Sequence, residues 1–417
     1  MRGRRILFIS PRQCWPALSG AKLREYHFLR ALAQGFRLTY VYFADSQERI
    51  AEQLPFCEHV IGVPKPPPYG KWNLLKGAMG RWPLPVLNYT STEMAMALAK
   101  LDGSYDLVHL DSIHMIRYGE VLAGMPGVAK RVVYNWHNIE SEAMRRHAAS
   151  FSSRARRLYA ELTARKLERL EREILQIAFG HIVCSERERE QLLRIAPDAR
   201  IVTVENGVDT AHFAGAAVSE GPRRQIVFVG KMDYYPNVEA AKHFVERIWP
   251  AVKERLPGMT LTIAGSDPVE AVRALGQVGG VTVTGTVPDL RPYYRDALAA
   301  IVPLRTGGGT RLKILEAMAA GTPVISTRLG AEGLSVASGR DILIADVDSP
   351  GEWAAHLQRL AEAPEEGARI AGCAIELVKT RYDWEIVGER LRETYEGWIE
   401  ASEVLARTTG PDSAGHS

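Results

Sequence analysis

Short apolar runs alternate along the chain with segments whose apolar residues recur at helical spacing. The run Ile6–Ile9 precedes such a segment at Lys22–Gln34, and another apolar run follows at Leu38–Phe43. The same order returns later, where the run Gln225–Gly230 precedes the segment Val238–Arg247. Strands that alternate with helices in this way predict parallel sheets with helices on both faces. The pattern therefore predicts an α/β protein with two doubly wound domains.

The length of the chain supports the same division. A chain of 417 residues is too long for one typical hydrophobic core. Small residues and Pro222 separate the two patterned halves and predict a linker. A last apolar stripe, which includes Leu391 and Trp398, predicts a terminal helix that crosses back to the first domain. We predict a first domain at residues 1–213, a linker at 214–224, a second domain at 225–382, the terminal helix at 383–402 and a disordered tail at 403–417.

Two stretches of the first half lack a clear alternation. The proline-punctuated stretch Pro64–Pro85 carries Trp72 and Trp82 among basic residues. We interpret it as a long loop that packs its tryptophans on its own domain. A membrane interface is the alternative, because indole rings and lysines suit the headgroup level. The arginine-rich stretch Met144–Phe179 predicts one long amphipathic helical region.

Composition narrows the function classes. A formal net charge of +3 is nearly neutral at this size and gives no support for nucleic-acid binding. The four cysteines lie far apart without metal-like spacing, which fits a reducing cytoplasm. No apolar run reaches the roughly eighteen residues that a membrane-spanning helix needs. We expect a cytoplasmic protein that is at most peripheral on the cytoplasmic face of the inner membrane.

A glycine-rich turn carries the strongest chemical signal. The glycines at 307–309 precede a helix that we predict to begin at about Thr310. Such a helix leaves its first N–H groups unpaired, and glycines let a ligand approach the backbone, so phosphate is the favoured occupant. Arg311 and Lys313 oppose the helix dipole in the first turn unless an anion offsets them. Glu316 follows about two turns in, where a carboxylate could accept hydrogen bonds from a sugar diol.

The run Leu315–Ile325 resembles the donor-site signature of the retaining GT-B glycosyltransferases of family four. In that family the glutamate matching Glu316 holds the ribose of a nucleotide sugar. The usual pattern has a second glutamate where this chain has Gly308. The wider run from Pro303 to Lys313 is similar to a branch linked with bacterial exopolysaccharide assembly. The resemblance implies two Rossmann-like doubly wound parallel-sheet domains that face a central cleft.

The resemblance also implies site residues. The family commonly has an arginine at the place of Lys231 and a lysine at that of Pro236, which form a cation pair for the diphosphate. We hypothesise that Arg311 or Lys313 supplies the charge that Pro236 lacks. The first-domain histidine of the family, which lies near the transferred sugar, corresponds to His137. The implied catalytic residues are His137, Lys231 and Arg311, and the implied donor-binding residues are Ser19, Gly20, Gly230, Lys231, Gly265, Gly307, Gly308, Gly309, Thr310, Arg311, Lys313 and Glu316.

The resemblance implies a retaining transfer from a nucleotide diphosphate sugar to a hydroxyl of a saccharide or lipid-linked acceptor, in bacterial polysaccharide or glycolipid assembly. The expected mechanism is a front-face displacement without metal and with no cofactor besides the nucleotide sugar. The formal metal motif Asp346-Val347-Asp348 precedes a helix and is interpreted as a cap or surface loop. Two alternatives stay open: a nucleotide-sugar epimerase of the same fold, and a non-catalytic homologue that binds a nucleotide sugar.

Overall fold

The chain forms two compact units. The computed structural model describes residues 3–45, 50–67, 71–102, 105–124, 131–149, 151, 153–214, 223–309 and 311–408. One unit comprises Met1–Glu205 with Val387–Ser417, and the other comprises Asn206–Ile386. No helix within the described ranges is long and apolar enough to cross a membrane.

The first unit is built on a seven-stranded parallel sheet. Its strands are β1 (Arg5–Ser10), β2 (Arg37–Ala44), β3 (His59–Pro64), β4 (Leu107–Asp111), β5 (Val132–Asn135), β6 (Gly180–Val183) and β7 (Ile201–Thr203). The strand order is β3-β2-β1-β4-β5-β6-β7, so the direction of winding reverses between β1 and β4. Its helices are α1 (Gly20–Leu32), α2 (Lys71–Met79), α3 (Leu84–Leu87), α4 (Thr92–Ala99), α5 (Gly119–Ala123), α6 (Glu140–Ala149), α7 (Arg154–Ile177) and α8 (Glu186–Ile195).

The second unit repeats this architecture with six parallel strands. Its helices are α9 (Thr210–Phe213), α10 (Tyr235–His243), α11 (Trp249–Arg255), α12 (Glu270–Arg273), α13 (Arg291–Arg295), α14 (Leu312–Ala319), α15 (Pro350–Glu362) and α16 (Pro364–Leu377). The strands are β8 (Gln225–Val229), β9 (Thr260–Ala264), β10 (Val281–Gly285), β11 (Ala299–Val302), β12 (Val324–Ser326) and β13 (Leu343–Ile344). Their order is β10-β9-β8-β11-β12-β13, and the winding reverses between β8 and β11. Ligands of such sheets bind at the carboxyl ends of the strands beside this reversal.

Both sheets explain the apolar runs of the sequence. Helices cover parallel strands on both faces, so each strand is apolar along most of its length instead of alternating. In β1, for example, Ile6 to Ile9 are fully buried, and in β8 Ile226 and Val227 are fully buried. The predicted α/β class with two doubly wound parallel sheets is confirmed.

A terminal helix, α17 (Trp384–Thr408), begins in the second unit and continues in the first. Tyr395 is fully buried and hydrogen-bonds to His109, while the ring of Trp398 packs edge-on against Phe179. The prediction of disorder from residue 403 is wrong as far as Thr408, because the segment Glu403–Arg407 is made largely of strong helix formers and continues the helix. Residues 409–417 of the predicted tail lie outside the described part of the chain.

The first unit ends at Glu205, earlier than the predicted limit of 213. The reason is that the following segment pairs with residues of the second unit. Val208 forms a parallel bridge with Asp383, and the N–H of Thr210 donates to the Asp383 carboxylate at 3.3 Å. Most of the predicted linker, residues 215–222, lies outside the described ranges.

Two stretches of the first unit differ from the prediction. The predicted loop Pro64–Pro85 contains the helices α2 and α3. The predicted single helical region Met144–Phe179 is divided into α6 and α7. Ser153 causes this division, because its side chain accepts from the N–H of Arg156 and so caps the start of a new helix.

Candidate functional site

Two glycines form the carboxyl edge of the second sheet beside the reversal of winding. Gly230 follows β8 and Gly265 follows β9. Gly265 has a φ of +147°, and a Cβ on it would lie 1.8 Å from the carbonyl oxygen of Gly230. Only glycine fits there, because any side chain would overlap the neighbouring backbone. The edge therefore presents bare backbone at the place where a doubly wound sheet binds its ligand.

The glycine-rich turn ends further along the chain than predicted. Gly307 and Gly309 have φ values of +103° and +78°, which lie outside the range of an α-helix. α14 consequently begins at Leu312, with Arg311 in a non-helical conformation immediately before it. The guanidinium of Arg311 is buried and folds back to donate to the carbonyl of Gly308. Thr310 lies outside the described residues.

Lys313 reaches the glycine edge. Its Nζ donates to Oδ1 of Asn237 at 2.9 Å and lies 4.6 Å from the ring centroid of Phe228. A Cβ on Gly230 would be 2.7 Å from the same Nζ. Burial, together with the nearby positive charge of Arg311, lowers the pKa of Lys313 to about 7. A cation in this setting would gain from an anion at the edge, which would offset its lost hydration.

Glu316 lies one turn further along α14. Its carboxylate is half-buried and accepts a hydrogen bond of 3.0 Å from the hydroxyl of Tyr294, which is itself buried. Burial raises the pKa of Glu316, and the hydrogen bond from Tyr294 opposes that rise. The hydroxyl fixes one oxygen of the carboxylate, and the other is available to accept from a ligand hydroxyl.

Lys231 lies apart from this group. Its side chain is 58% exposed and forms ion pairs with Asp233 at 2.7 Å and Asp267 at 3.6 Å. The hydrogen bond to Asp233 raises the pKa of Lys231. Pro236 instead packs against Gly307, where a Cβ would lie 3.2 Å from the proline ring. The structure thus groups Arg311 and Lys313 with the glycines and leaves Lys231 facing carboxylates.

The first unit carries a separate polar group, also beside the reversal of winding. His137 Nε2 lies 2.8 Å from Oδ2 of Asp111, which ends β4. Arg12 Nη1 lies 2.7 Å from Oε1 of Glu25 and 3.6 Å from Asp111 Oδ2. Ser10 donates to the other Glu25 oxygen at 2.7 Å. Glu25 and Asp111 are fully buried, so these contacts form a largely buried ion network.

The pKa values of the two carboxyl groups of this network move in opposite directions. Burial and the negative charge of Asp111 raise the pKa of Glu25 well above its usual range. Burial would also raise the pKa of Asp111, but His137 and Arg12 hold it well below its usual range. Asp111 is therefore the carboxylate that orients His137, which it contacts at 2.8 Å. Asn135 donates to the second Asp111 oxygen at 2.6 Å and fixes the carboxylate further.

The spacing in this network would also suit a metal ion. The ligand atoms of Glu25, Asp111 and His137 lie within 4.8 Å of one another. The guanidinium of Arg12 already lies among them, 3.5 Å from His137 Nε2. Because it supplies the positive charge that a metal would otherwise bring, the arrangement favours an ion network.

Ser19 and Gly20 lie at the start of α1, in the first unit. The Ser19 side chain accepts from the N–H of Lys22 at 3.4 Å, so Ser19 caps the helix, and Gly20 is its first residue. Both are exposed. Their predicted contact with the donor stays a prediction.

Two family models match the chain, one in each half. The model described as Glycosyltransferase Family 4 matches residues 20–212, and the model described as Glycosyl transferases group 1 matches residues 223–363. Together the two matches cover most of the chain. The chain belongs to the group 1 glycosyltransferases.

Curated relatives of this group 1 glycosyltransferase include glycogen synthase of Mycobacterium tuberculosis. It is 27% identical over 248 residues, which are 56% of this chain and 57% of that protein. Phosphatidyl-myo-inositol mannosyltransferase of Mycolicibacterium smegmatis is 30% identical over 225 residues, 52% of this chain and 57% of that protein. The match thus spans little more than half the length of these relatives.

Solved structures of similar fold match nearly the whole length of this chain. Sucrose-phosphate synthase from Thermosynechococcus elongatus has a TM-score of 0.72 at 19% identity and covers 95% of this chain and 100% of that one. HepE from Anabaena in complex with UDP has a TM-score of 0.67 at 17% identity, with 94% and 100% covered. The GT-B fold class is confirmed, and the predicted cleft between the domains stays a prediction.

Sequence reasoning missed several members of these sites. Arg12, Glu25 and Asp111 were not among the predicted site residues. A charged residue among the apolar positions of α1, such as the buried Glu25, was the available signal. Asn237 was also missed, although it directly follows Pro236, the position where the family carries its second cation.

Proposed function

We propose that this group 1 glycosyltransferase moves a sugar from a nucleotide diphosphate sugar to a hydroxyl group of an acceptor, with retention of anomeric configuration. The observation that carries the proposal is the group at the carboxyl edge of β8. There the ammonium of the half-buried Lys313 lies against Gly230, beside the start of α14, with Glu316 one turn further along the helix. The backbone N–H groups and the ammonium suit a diphosphate, and the carboxylate behind them suits the hydroxyl groups of the attached ribose.

In the proposed reaction the acceptor hydroxyl attacks the sugar on the face from which the diphosphate leaves. The bond from the anomeric carbon to the phosphate oxygen breaks, the bond to the acceptor oxygen forms, and the hydroxyl proton passes to the departing phosphate. Lys313, Arg311 and the first N–H groups of α14 neutralise the charge that develops on this leaving group. Glu316 positions the ribose. The reaction requires no metal in this scheme, since protein cations do that work.

His137 is proposed to contact the transferred sugar in the first unit. The carboxylate of Asp111 holds the ring at 2.8 Å, and burial lowers the pKa of His137. A neutral, oriented imidazole donates or accepts one hydrogen bond at a fixed place. Such a group suits a sugar hydroxyl better than it suits a phosphate.

The test begins with a panel of UDP-, GDP-, ADP- and CMP-sugars, measured by thermal shift and then by calorimetry. UDP-glucose heads the panel, because HepE of the same fold has been solved with it. Glu316→Gln should weaken binding of the accepted donor by about 1.5–3 kcal/mol. Glu254→Gln, on the exposed surface of α11, is the matched control and should bind normally.

Product analysis separates the proposal from its rivals. Incubation with donor and a crude saccharide and lipid extract should yield a glycosylated acceptor with an unchanged anomeric configuration. Conversion of the donor sugar without any acceptor would indicate an epimerase. Donor binding without turnover under any of these conditions would indicate a non-catalytic homologue and would refute the transfer.

We further propose that the acceptor side works in the cytoplasm at a membrane surface, in polysaccharide or glycolipid assembly. On α2 the side chains of Trp72 and Met79 are 75% and 76% exposed. Leu158 of α7 is also exposed, and Arg154 and Arg156 of the same helix are exposed beside it. Apolar side chains among cations are typical of surfaces that bind anionic lipid.

α2 is held on α7 by its carbonyl groups. The ammonium of Lys166 donates to the carbonyls of Gly77, Ala78 and Gly80 at 2.6–2.7 Å. Trp82, which the sequence grouped with Trp72, is half-buried and lies under the guanidinium of Arg81. Trp72 is thus the tryptophan that could enter a membrane.

Co-sedimentation with vesicles that contain anionic lipid tests this surface. Trp72→Ser should reduce the bound fraction, and high salt should reduce it further. Met96→Ser removes an apolar side chain that is 55% exposed on α4 and should leave the bound fraction unchanged. Equal sedimentation of the wild type and Trp72→Ser would end the membrane proposal without affecting the donor site.

A further inference from the structure

A pocket of about 740 Å³ opens at the amino-terminal edge of the second sheet. Several of its lining residues directly precede a strand: Arg224 precedes β8, Met259 precedes β9, Leu298 precedes β11 and Pro323 precedes β12. The amino ends of parallel strands share one edge, opposite to the edge where Gly230 lies. The pocket is therefore separate from the proposed donor site.

The wall of the pocket is mainly apolar. Leu256 and Met259 form one side, and Leu360 of α15 and Ala371 of α16 form another. Its volume lies within the range of roughly 300–1,000 Å³ that is typical of small-molecule sites. An alkyl chain that entered the pocket would move from water onto an apolar surface that is already formed. Little reorganisation of the protein would therefore oppose its binding.

Three arginines line the same pocket: Arg223, Arg224 and Arg255. No described lining residue is acidic, and none of the three arginines forms an ion pair within the described ranges. Arg223 donates to the carbonyl of Ala297 at 3.3 Å. Several other arginines of this unit form ion pairs, as Arg305 does with Glu239. Among the described residues, the pocket thus combines an apolar wall with positive charge that no acidic lining residue offsets.

We propose that this pocket binds a single-chain amphiphile whose head group is a phosphate. The alkyl chain of this amphiphile lies against the apolar wall of the pocket, and the guanidinium groups of Arg224 and Arg255 hold its head group. Guanidinium forks bind phosphate oxygens in pairs, which makes phosphate a better match than a neutral head group. Neither the donor nor the acceptor of the proposed transfer is needed for this binding.

The test uses n-dodecyl phosphate as the probe, titrated calorimetrically into the full chain below its micelle concentration. We expect saturable binding of one molecule per chain. Inorganic phosphate tests the head group alone. Dodecyl maltoside tests the alkyl chain with an uncharged head group. Each should bind at least about tenfold more weakly than dodecyl phosphate, because each lacks one of the two contributions.

Two variants locate the site. Arg224→Ala combined with Arg255→Ala should weaken dodecyl phosphate binding by about tenfold or more. Ala368→Phe adds a ring at an exposed position on the rim of the pocket and should prevent the alkyl chain from entering. Arg247→Ala removes an exposed arginine of the same unit that does not line the pocket, and it should bind as the wild type does.

Equal binding of dodecyl maltoside or of inorganic phosphate would overturn the proposal, and so would wild-type affinity in both site variants. If one variant unfolds, as judged by its thermal transition, the other decides. Donor affinity at the opposite edge of the sheet should be unchanged in every variant, so a failure here leaves the proposed transfer untouched.

Discussion

Binding of an intact nucleotide sugar should be accompanied by the uptake of a proton at Lys313. Burial and the charge of Arg311 lower the pKa of this lysine to about 7, and Asn237 offers only a neutral acceptor. A diphosphate at the glycine edge would favour the charged ammonium and restore its ordinary pKa. Because the pKa rises on binding, affinity is greatest below the free-state pKa and falls as the pH rises above it.

The size of the effect follows from the titration curve. With a free-state pKa of about 7 and an ordinary value near 10.4 in the complex, binding takes up about 0.9 proton at pH 8 and about 0.1 at pH 6. By the same linkage, the dissociation constant of the donor should rise about tenfold from pH 6 to pH 8. A nucleotide sugar is the proper probe, since its diphosphate diester carries no group that titrates in this interval.

Calorimetry in two buffers with different enthalpies of ionisation measures the protons directly. Lys313→Arg is the matched variant, because arginine keeps the charge and does not lose its proton in this range. It should bind the donor with almost no proton uptake and with a flat pH profile. If the wild type binds the donor at pH 8 without taking up a proton, Lys313 is not the cation that meets the diphosphate.

Three further predictions concern the fold and the chemistry. Gly265→Ala should lower the unfolding midpoint markedly, at a cost of at least about 1–3 kcal/mol for the backbone conformation alone, whereas Gly279→Ala meets no atom within 4 Å and should not. Tyr395→Phe removes the buried partner of His109 and should lower the free energy of unfolding in urea by about 1–3 kcal/mol, while Tyr234→Phe, at a half-exposed position, should change it little. Transfer activity should persist in EDTA, and its loss would contradict the metal-free scheme.

Much of the fold could be predicted because its physical cause is local. Parallel strands covered on both faces must be apolar throughout, so β1 and β8 were visible as short runs. Helix ends were less visible, because they depend on single caps. Ser153 divides one expected helix into two, and two glycines with positive φ move the start of α14 to Leu312.

The polar network of the first unit was hidden for a different reason. Arg12 and Glu25 follow β1, whereas Asp111 ends β4 and His137 follows β5. Only the strand order, with β1 beside β4, brings them within hydrogen-bonding distance. Sequence spacing says nothing about that order. A histidine at a strand end could be found, but the carboxylate that orients it could not.

The cations of the second unit lie on a different element from the one on which the family carries its second cation. Pro236 carries no charge, and its ring packs against Gly307 in the turn before α14. Lys313 extends from that helix to Asn237, the residue next to Pro236. We propose that its ammonium supplies the charge that Pro236 lacks. The placement of a cation in the first turn of α14, unfavourable for an isolated helix, is consistent with a site that gains its stability when an anion arrives.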